Sequence, residues 1–324
     1  MPRVTLAEAE RLAAAMLVAN RTAPAIAASV ARALVAAEAE GQSGHGLSRL
    51  PSYAAQAACK KVDGFATPTA IRTAPAVVAI DAAYGFAYPA LDLAIAELLP
   101  LARAQGVALA AIRRSHHCGA AGITAARLAE AGVVGLMLAN TPAAMAAAGG
   151  RRPMLGTNPI AAAFPAGGAD PVVIDLALSA AARGRIVQAR ARGEAIPEGW
   201  ALDAAGQPTT DPEAALAGSL LPFGGAKGAA LALMVEALAA GLTGSAFAFA
   251  ASSFLDAEGP PPATGQLLIA IDPAAGGGGL AHLDALFAAI AAEPGVRLPG
   301  RRRRAARRRA EAEGIDVPER LLSG

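Results

Sequence analysis

The segment VALAAIRRSHHCGAAGITAARLAEAG, residues 107–132, predicts the class of fold. Its first six residues are apolar and long enough for a buried strand, and the small residues after the loop predict a helix at 120–131. Outward from this unit, short apolar runs alternate with helical stretches from about residue 75 onward. The predicted strands are 76–80, 107–112, 133–139, 172–176 and 267–271; the other predicted helices are 89–105, 226–241 and 280–292; the predicted loops are 193–224 and 256–265. This alternation is typical of α/β proteins.

Both ends of the chain are predicted to be helical. Thr5 and Glu8 fit a capping box, in which each side chain binds a free backbone N–H of the other residue. Pro24 suits the first turn of a second helix. Near the other end, arginines at 301–304 and 307–309 precede two glutamates. We expect a solvated helix with arginine–glutamate pairs there, and a nucleic-acid-binding arm is the weaker alternative.

Composition argues against several classes of protein. The chain has 324 residues and a formal net charge of only +2, which argues against a dedicated nucleic-acid binder. Hydrophobic residues make up 54% but aromatic residues only 4%, so the core must consist mainly of aliphatic side chains. Two cysteines cannot form a disulfide framework and are typical of a reducing compartment. Since the sequence shows neither a secretory signal nor a membrane span, we expect a cytoplasmic protein.

The pattern of strands and helices alone suggests a doubly wound parallel sheet, a common scaffold for dinucleotide binding. Such a sheet usually carries the sequence G-x-G-x-x-G directly after a strand, and many nucleotide sites carry G-x-x-x-x-G-K-[ST]. No copy of the first sequence follows a predicted strand, and the second does not occur. A dinucleotide bound by this chain would therefore be held in another way.

The loop 41–48 contains the first candidate for catalysis. His45 stands between two glycines, where a ligand can approach the backbone closely. Imidazole titrates in the range suited to the proton transfer that carbonyl reduction requires. Arg49 follows four residues later, and a guanidinium can give a carboxylate two parallel hydrogen bonds. The pair fits a 2-oxo-acid site, and a structural role for His45 is the alternative.

A second cluster, His116-His117-Cys118-Gly119, follows the strand 107–112. Loops after strands are frequent ligand sites in α/β proteins, and a helix N-terminus attracts phosphate or carboxylate. A metal site is the competing interpretation. Neighbouring positions cannot all face one ion without strain, and no further His or Cys motif completes four ligands, so we expect no metal.

Lys227 lies in the glycine-rich loop 224–228, at the start of a predicted helix. Its ammonium group could bind a phosphate or a ribose, and a simple capped turn is the alternative. The remaining histidine, His282, is predicted on a helix and is expected to be structural.

Several short sequences together resemble one known family. They are GHGLSRLP (44–51), HCGAAG (117–122), GGRRP (149–153), LGTNPI (155–160), IPEGWALD (196–203), PTTDP (208–212) and LPFGGAKG (221–228). On these sequences the chain resembles the malate/L-lactate dehydrogenases of the second, non-Rossmann type. That family includes ureidoglycolate dehydrogenase, sulfolactate dehydrogenase, 2,3-diketogulonate reductase and piperideine-2-carboxylate reductase. The resemblance runs from residue 1 to about residue 320.

The resemblance implies an α/β fold with a large mixed sheet that replaces the doubly wound parallel sheet. It implies a helical domain formed by both chain ends, residues 1–72 together with 285–324, and a mixed-sheet cofactor-binding domain at 73–284. The active site would lie at the junction of these domains and at the interface of a homodimer. Neither nucleic acid nor membrane is an expected partner.

The resemblance also implies a reaction, in which NAD or NADP exchanges hydride with C2 of a small 2-oxo or 2-hydroxy carboxylate. His45 would be the proton donor, with His117 as the second candidate, and Arg49 and Thr157 would bind the substrate carboxylate. The implied cofactor-binding residues are His117, Cys118, Gly119, Ala120, Ala121, Thr141, Asp175, Leu176, Ala177, Lys227 and Gly228. Malate, lactate and sulfolactate are the expected types of substrate.

Some positions depart from the family pattern. Gly44 replaces a frequent serine, and Arg185 replaces an aspartate that the imine reductases use with that serine as a relay. Arg301 replaces the usual glutamate after Pro-Gly, and Cys118 replaces a frequent phenylalanine. Reduction of a cyclic imine is the first alternative function, and a non-catalytic ligand-binding homologue is the second. Three further arginines are Arg113, Arg114 and Arg151. They would either bind a second anionic group of the substrate or face the solvent.

Overall fold

The computed structural model describes residues 2–167 and 169–317. Its helices are α1 (Leu6–Ala19), α2 (Pro24–Ala39), α3 (Leu50–Ala58), α4 (Ala87–Gln105), α5 (Ala121–Glu130), α6 (Arg183–Arg192), α7 (Pro212–Ala217), α8 (Ala226–Glu236), α9 (Gly279–Ala292) and α10 (Arg301–Glu313). Short 3-10 turns lie at Ser43–His45 and Leu47–Arg49, and a π-helical turn, Ala237–Gly241, extends α8. The strands are β1 (Arg3–Val4), β2 (Thr69–Ala74), β3 (Val77–Asp81), β4 (Val107–Ser115), β5 (Val134–Ala139), β6 (Met145–Ala146), β7 (Pro153–Leu155), β8 (Ile160–Ala166), β9 (Ala169–Leu176), β10 (Ala201–Leu202), β11 (Pro208–Thr209), β12 (Ser219–Leu220), β13 (Thr264–Ile271) and β14 (Ile315–Asp316).

Seven strands form the main sheet, in the order β2-β3-β4-β13-β5-β8-β9. Strands β3 and β4 run parallel, and the other neighbouring pairs are antiparallel. β13 lies between β4 and β5, with Ile269 opposite both Leu109 and Leu136. The mixed α/β class that the resemblance implies is confirmed, and the doubly wound parallel sheet is wrong. The prediction failed because the alternation of strands and helices carries no information on strand direction. In addition, β13 lies between β4 and β5, which follow one another in the sequence.

Both faces of the main sheet are covered, because alternate residues of a strand point to opposite sides. Leu268 and Ala270 of β13 belong to a buried cluster with the apolar sides of α1, α2, α4 and α5. Leu267 and Ile269 pack on the other side, against α8 and a small sheet of order β11-β10-β12-β6-β7. Strands buried on both faces need continuous apolar runs, which is why the sequence shows them.

Most predicted elements are present, with small shifts of their ends. The predicted strands correspond to β3, β4, β5, β9 and β13, and the predicted helices between residues 89 and 292 correspond to α4, α5, α8 with its π-helical turn, and α9. At the start of α1, the Thr5 side chain accepts a hydrogen bond from the Glu8 N–H, which is one of the two bonds of the predicted capping box, and the Glu8 carboxylate accepts from Arg11. The pattern missed β2, β8, α3 and α6, and the predicted loop 193–224 contains α7 and three short strands.

The two ends of the chain lie side by side. β1 pairs antiparallel with β14, with Arg3 opposite Asp316, and α10 contacts α2 and β9. The predicted domain boundaries, 1–72 with 285–324 and 73–284, stay a prediction. Residues 318–324 of the first of these domains lie outside the described residues.

The arginine-rich tail forms the helix α10, as predicted. Arg307 pairs with Glu311 on the same helix, with 3.0 Å between the charged atoms. Two other arginines reach the body of the protein: Arg303 binds Asp175 of β9 at 2.6 Å, and the buried Arg304 pairs with a glutamate of α5 at 2.5 Å. The expectation of a solvated helix is therefore wrong for this side of α10, which ion pairs fasten to the sheet.

Among residues 2–167 and 169–317, no helix is both long and apolar enough to cross a bilayer. The longest described helix, α4, has 19 residues and carries Asp92, Glu97 and Arg103.

Candidate active site

A rigid loop presents His45 and Arg49. Between α2 and α3 the chain makes two 3-10 turns, and the Glu38 carboxylate accepts a hydrogen bond from the Leu47 N–H at 2.8 Å. Gly46 packs so tightly on Glu38 that a Cβ there would lie 2.3 Å from the carboxylate oxygen, so this position requires glycine. Burial raises the pKa of Glu38, and the Leu47 N–H opposes that rise. The loop thus holds its two candidate residues in fixed positions.

The structure brings the two candidate catalytic histidines together. The rings of His45 and His117 stack with centroids 5.5 Å apart and planes 16° apart. Nδ1 of His117 lies 2.5 Å from the hydroxyl oxygen of Tyr53, which in turn lies 3.2 Å from the hydroxyl oxygen of Tyr88. Since Tyr53 holds Nδ1, the other ring nitrogen of His117, Nε2, is the one available to a ligand.

Burial keeps both rings neutral near pH 7. It holds the pKa of His117 well below its ordinary value, and the nearby Arg49 adds to this effect. The pKa of His45 is also lowered by burial and by Arg49, while Asp175 opposes the change. A neutral imidazole has one N–H donor and one acceptor nitrogen, so each ring can hydrogen-bond a ligand and take a proton from it, and the protonated ring can return that proton.

Sequence reasoning missed the two tyrosines of this site. Burial raises the pKa of Tyr53 and of Tyr88, so both hydroxyls stay protonated and act as hydrogen-bonding groups. Tyr53 lies four residues after Arg49, one turn along the same helical stretch. That spacing was the only sequence signal that could have placed Tyr53 near Arg49, because residues four apart share a helix face.

The candidate cofactor residues that follow His117 form the entrance to α5. Burial raises the pKa of the Cys118 thiol to about 12, so it stays protonated. Gly119 has φ +68°, and a Cβ there would lie 2.7 Å from the Tyr88 hydroxyl, so the turn requires glycine. Ala120 caps α5 without a side-chain hydrogen bond, and Ala121 is its first residue. No side chain therefore caps this helix start, where the Ile123 N–H donates to the Ala120 carbonyl at 3.1 Å.

Asp175, Leu176 and Ala177 lie at the end of β9, next to α5. Asp175 packs against Gly122, where a Cβ would lie 2.8 Å from the Asp175 Cβ, and binds Arg303 at 2.6 Å. Leu176 is half exposed and Ala177 is exposed, so the backbone here is accessible.

The two candidate threonines are hydrogen-bonded to one another. The Thr157 N–H donates to the Thr141 hydroxyl at 2.9 Å, and the Thr141 N–H donates to the Asn158 side chain at 3.2 Å. The Asn158 amide donates to the buried Glu236 of α8 at 2.7 Å, and so does that of Asn140 at 3.1 Å. This buried network, which sequence reasoning also missed, ties the threonine loops to α8.

Lys227 and Gly228 lie in the first turn of α8, and the loop that leads into this turn adjoins the end of β9. The Leu178 N–H donates to the Thr157 carbonyl at 2.8 Å, and the Phe223 N–H donates to the Leu178 carbonyl at 3.0 Å. Lys227 is exposed, and Gly228 is pressed against Phe223, whose carbonyl oxygen would lie 1.9 Å from a Cβ. Thr157, the end of β9 and the Lys227 loop therefore form one continuous surface.

Apart from the buried Cys118, the positions that depart from the family pattern lie on the surface. Gly44 is exposed, and no atom would come within 4 Å of a Cβ there. Arg185 lies on an exposed side of α6, and Arg301 is the exposed first residue of α10. Arg113 and Arg114 both pair with Asp81, so their charges already have a partner.

The donor set suits an anionic dinucleotide. The start of α5 has no side-chain cap, the backbone at the end of β9 is accessible, and Lys227 in the first turn of α8 is exposed, a set that matches phosphate and ribose oxygens. Within the described residues, no group of three His, Cys, Asp or Glu side chains is arranged to hold a metal ion.

The family model for malate/L-lactate dehydrogenase matches residues 4–324. The chain is 51% identical to the NADP+-dependent (2R)-3-sulfolactate dehydrogenase of Chromohalobacter salexigens, over 98% of this chain and 96% of that protein. It is 42% identical to the Δ1-pyrroline-2-carboxylate reductase of Ancylobacter novellus, over 99% and 96%.

Solved structures give the same result. The Δ1-piperideine-2-carboxylate reductase of Pseudomonas syringae superposes with a TM-score of 0.94 at 40% identity, over 100% of this chain and 98% of that one. The sulfolactate dehydrogenase of Methanocaldococcus jannaschii superposes with a TM-score of 0.90 at 29% identity, over 99% and 95%. The expected enzyme class, an NAD(P)-dependent dehydrogenase or reductase, is confirmed by these relatives. The chain belongs to the malate/L-lactate dehydrogenase family.

Proposed function

We propose that the protein exchanges hydride between NADP and C2 of a small 2-hydroxy carboxylate, with 3-sulfolactate and its 2-oxo form as the first pair to test. The observation that carries the proposal is the stacked pair of His45 and His117 beside Arg49. The relative at 51% identity, named as an NADP+-dependent sulfolactate dehydrogenase, supports the choice of substrate and cofactor.

Arg49 is the proposed carboxylate-binding residue. Its Nε donates to the Gly44 carbonyl at 2.7 Å, which fixes the guanidinium and leaves both terminal nitrogens for a ligand. A guanidinium fixed in this way binds a carboxylate in one orientation, so that C2 is presented to the histidines. Thr157, whose N–H is bound to Thr141, is the proposed second contact.

His45 is the proposed base that takes the hydroxyl proton of the substrate during oxidation, and the protonated His45 that results is the proton donor to the substrate oxygen in the reverse direction. It is half-buried, whereas His117 is 7% exposed and tied to Tyr53. The ring with access to both ligand and solvent is therefore His45. His117 stays the second candidate for this role.

The cofactor is proposed to lie along the surface formed by 117–121, 175–177 and the loop of Lys227. When bound, it supplies the hydride to C2 or accepts it from C2. The N–H groups of α5 and the ammonium of Lys227 would hold its phosphates. Thr141, whose N–H donates to the Asn158 side chain, is proposed to support the same surface.

Reduction of a cyclic imine is the second candidate function. The structure that superposes with a TM-score of 0.94 is named a Δ1-piperideine-2-carboxylate reductase, and an imine carbon next to a carboxylate has the same geometry at C2. The absence of a serine at Gly44 and of an aspartate at Arg185 argues for the hydroxy-acid reaction first.

A substrate panel tests both proposals. We expect NADPH oxidation with 3-sulfopyruvate, and weaker oxidation with oxaloacetate and pyruvate. Turnover of piperideine-2-carboxylate or pyrroline-2-carboxylate alone would contradict the first function and support the second. Cofactor binding without turnover of any of these compounds would contradict both. Parallel assays with NADH determine the cofactor preference.

We also propose a homodimer that forms through the exposed side of α8 and its π-helical turn. Leu233 and Leu242 are 60% and 69% exposed. Phe247, which stacks on Phe249, lies beside Gly241 and extends this apolar surface. Contiguous apolar surfaces are uncommon on monomers and often mark interfaces.

Light scattering after size exclusion tests the dimer. We expect a mass twice that of one chain for the wild type and for Leu286→Asp, an exposed leucine on α9. We expect a monomer for Leu233→Asp, because a charge in the interface would remain unpaired. A wild-type monomer, or a dimeric Leu233→Asp protein, would contradict this interface.

A cytoplasmic location is proposed on the state of the cysteines. Cys59 is exposed and Cys118 is buried, and both are free thiols, as is usual in a reducing compartment. Cell fractionation with an antibody to the protein measures the location directly.

A further inference from the structure

His116 is buried behind the proposed site and has no role in the reaction as described. Its Nε2 lies 2.7 Å from the side-chain oxygen of Gln56, a residue of α3 with no exposed surface. Its ring packs edge-on against Phe254, with centroids 5.3 Å apart. Phe254 also packs against the His117 ring, at 5.2 Å. One aromatic side chain therefore contacts both histidines.

The segment 253–257, which carries Phe254, has little regular structure of its own, and side chains from the end of α3 hold it. Gln56 Nε2 donates to the Phe254 carbonyl at 2.9 Å. The Cys59 thiol donates to the Ala257 carbonyl at 3.3 Å. The buried Lys61 ammonium donates to the backbone carbonyl of Asp256 and to its carboxylate, both at 3.1 Å. We call residues 253–257 the strap.

The direction of these hydrogen bonds determines the tautomer of His116. A carbonyl oxygen only accepts, so the Gln56 amide nitrogen must face Phe254 and the amide oxygen must face His116. That oxygen also only accepts, so His116 must carry its proton on Nε2. Burial lowers the pKa of His116 to about 3, with Lys61 and Arg49 adding to the effect, so the ring is neutral near pH 7.

We propose that Gln56 is a positioning residue, whose amide holds His116 in the Nε2–H tautomer and fastens the strap, so that Phe254 holds the His117 ring against His45. The inference deepens the proposed function and rests on it for its consequence in turnover. Lys61 supports the same strap from a second point. Neither residue touches the proposed substrate; both act through Phe254.

The physical consequence concerns water and ring orientation. Phe254 is 8% exposed and packs against the His117 ring, which Tyr53 and His45 also contact. Without the strap in place, the His117 ring would lose one packing partner and water would reach it. The charged and titratable groups that act on this ring are Arg49, His45, His116 and Tyr53, so its orientation bears on each of them.

The test uses Gln56→Met, Lys61→Met and the control Lys60→Met, an exposed neighbour. Hydrogen exchange in the strap should quicken at least tenfold in the first two variants and stay unchanged in the control. With only four histidines, nitrogen-15 spectra resolve each ring. His116 should be the Nε2–H tautomer in the wild type and in Lys61→Met, and should lose this preference in Gln56→Met.

The His117 resonances should shift in both strap variants, because the ring current of Phe254 changes. Turnover per cofactor-binding site should fall at least tenfold in both. Unchanged strap exchange and unchanged His117 resonances in a folded Gln56→Met protein would overturn the proposal. If that variant does not fold, Lys61→Met decides by the same criteria. Full turnover with a loosened strap would overturn it as well.

Failure of the proposed function gives a different result. If the wild type turns over no 2-oxo acid or cyclic imine, the exchange and spectral measurements still show whether Gln56 positions His117. The two outcomes are therefore separable.

Discussion

At the scale of single residues, the protonation state of His45 and His117 defines the chemistry available to the site. Both rings are neutral near pH 7, because burial disfavours the imidazolium form. Tyr53 occupies Nδ1 of His117, whereas the half-buried His45 has more freedom to exchange a proton with a ligand and with solvent. These differences lead us to expect unequal effects of removing each ring.

His45→Ala should lower kcat by a factor of about 10²–10⁴, the usual contribution of a positioned general acid. Cofactor affinity should stay within about a factor of two, because the proposed cofactor surface lies on other elements. Stopped-flow turnover and a fluorescence titration with NADPH measure the two quantities.

The control for this variant is His282→Ala, since His282 is exposed on α9. A His45→Ala protein with normal turnover would move the role of proton donor to His117. His117→Ala would then be the variant with the large decrease in kcat.

Arg49→Lys should raise KM for the 2-oxo acid more than it lowers kcat. Lysine cannot keep the bond to the Gly44 carbonyl and also offer two parallel donors. Loss of one charge-assisted hydrogen bond corresponds to about 1.5–3 kcal/mol, or roughly 10–100-fold in kcat/KM. Steady-state kinetics check this, with Arg185→Lys on the exposed side of α6 as the control. An unchanged KM would remove Arg49 from the carboxylate site.

Sequence reasoning found the residues whose signal is local. His45 and Arg49 share one short loop between glycines, so their proximity follows from spacing alone. Tyr53 and Phe254 reach His117 from α3 and from the strap. Their contacts depend on how distant segments pack, and no residue pattern in one sequence encodes that.

At the scale of elements, the position of β13 could not be predicted. The apolar run at 267–271 identifies a strand, but its place between β4 and β5 depends on the antiparallel pairing of both its edges. β8 and β2 were missed because the first is rich in alanine and the second is an exposed edge strand. Alanine is a helix former, and polar edges lack the apolar run of a buried strand.

Gly228→Ala tests the entrance of α8. A Cβ at this position would lie 1.9 Å from the Phe223 carbonyl oxygen, so the loop or the helix must shift. We expect a loss of about 1–3 kcal/mol in unfolding free energy, as for other overpacked sites, and weaker NADPH binding. Urea unfolding and a cofactor titration measure both.

Gly184→Ala is the matched control for Gly228→Ala. It lies in α6 with no atom within 4 Å of a Cβ, and alanine favours a helix. An unfolding free energy and a cofactor affinity in Gly228→Ala equal to those of the wild type would contradict this prediction, because they would show that the loop can shift to accommodate the Cβ.

At the scale of the whole molecule, buried neutral histidines make the fold sensitive to acid. The unfolded chain takes up a proton on His116 near the ordinary pKa of about 6.5, whereas the folded chain does not until about pH 3. Between about pH 3 and pH 6.5, protons therefore bind the unfolded state more strongly than the folded state. The contribution of His116 to the free energy of unfolding is fully present above pH 6.5 and decreases as the pH falls below it.

From pH 8 to pH 5.5, His116 should lower the unfolding free energy by about 1.4 kcal/mol. The measurement compares urea unfolding of the wild type and of His116→Gln at both pH values. The variant should be less stable at pH 8 but should lose less stability on acidification. Contributions of other groups, such as the half-buried Glu38 with its raised pKa, are common to both proteins and cancel. Equal pH dependence in the two proteins would contradict the prediction.

The central position of β13 also matters while the chain is being made. β4 and β5 leave the ribosome early, with Ala139 at the end of β5, yet the strand that joins them begins only at Thr264. Until then both strands expose unpaired backbone edges, which can pair with other chains. Nascent chains should therefore need protection by chaperones until residue 271 has emerged. A chain that stops before Thr264 should aggregate rather than form a stable fragment.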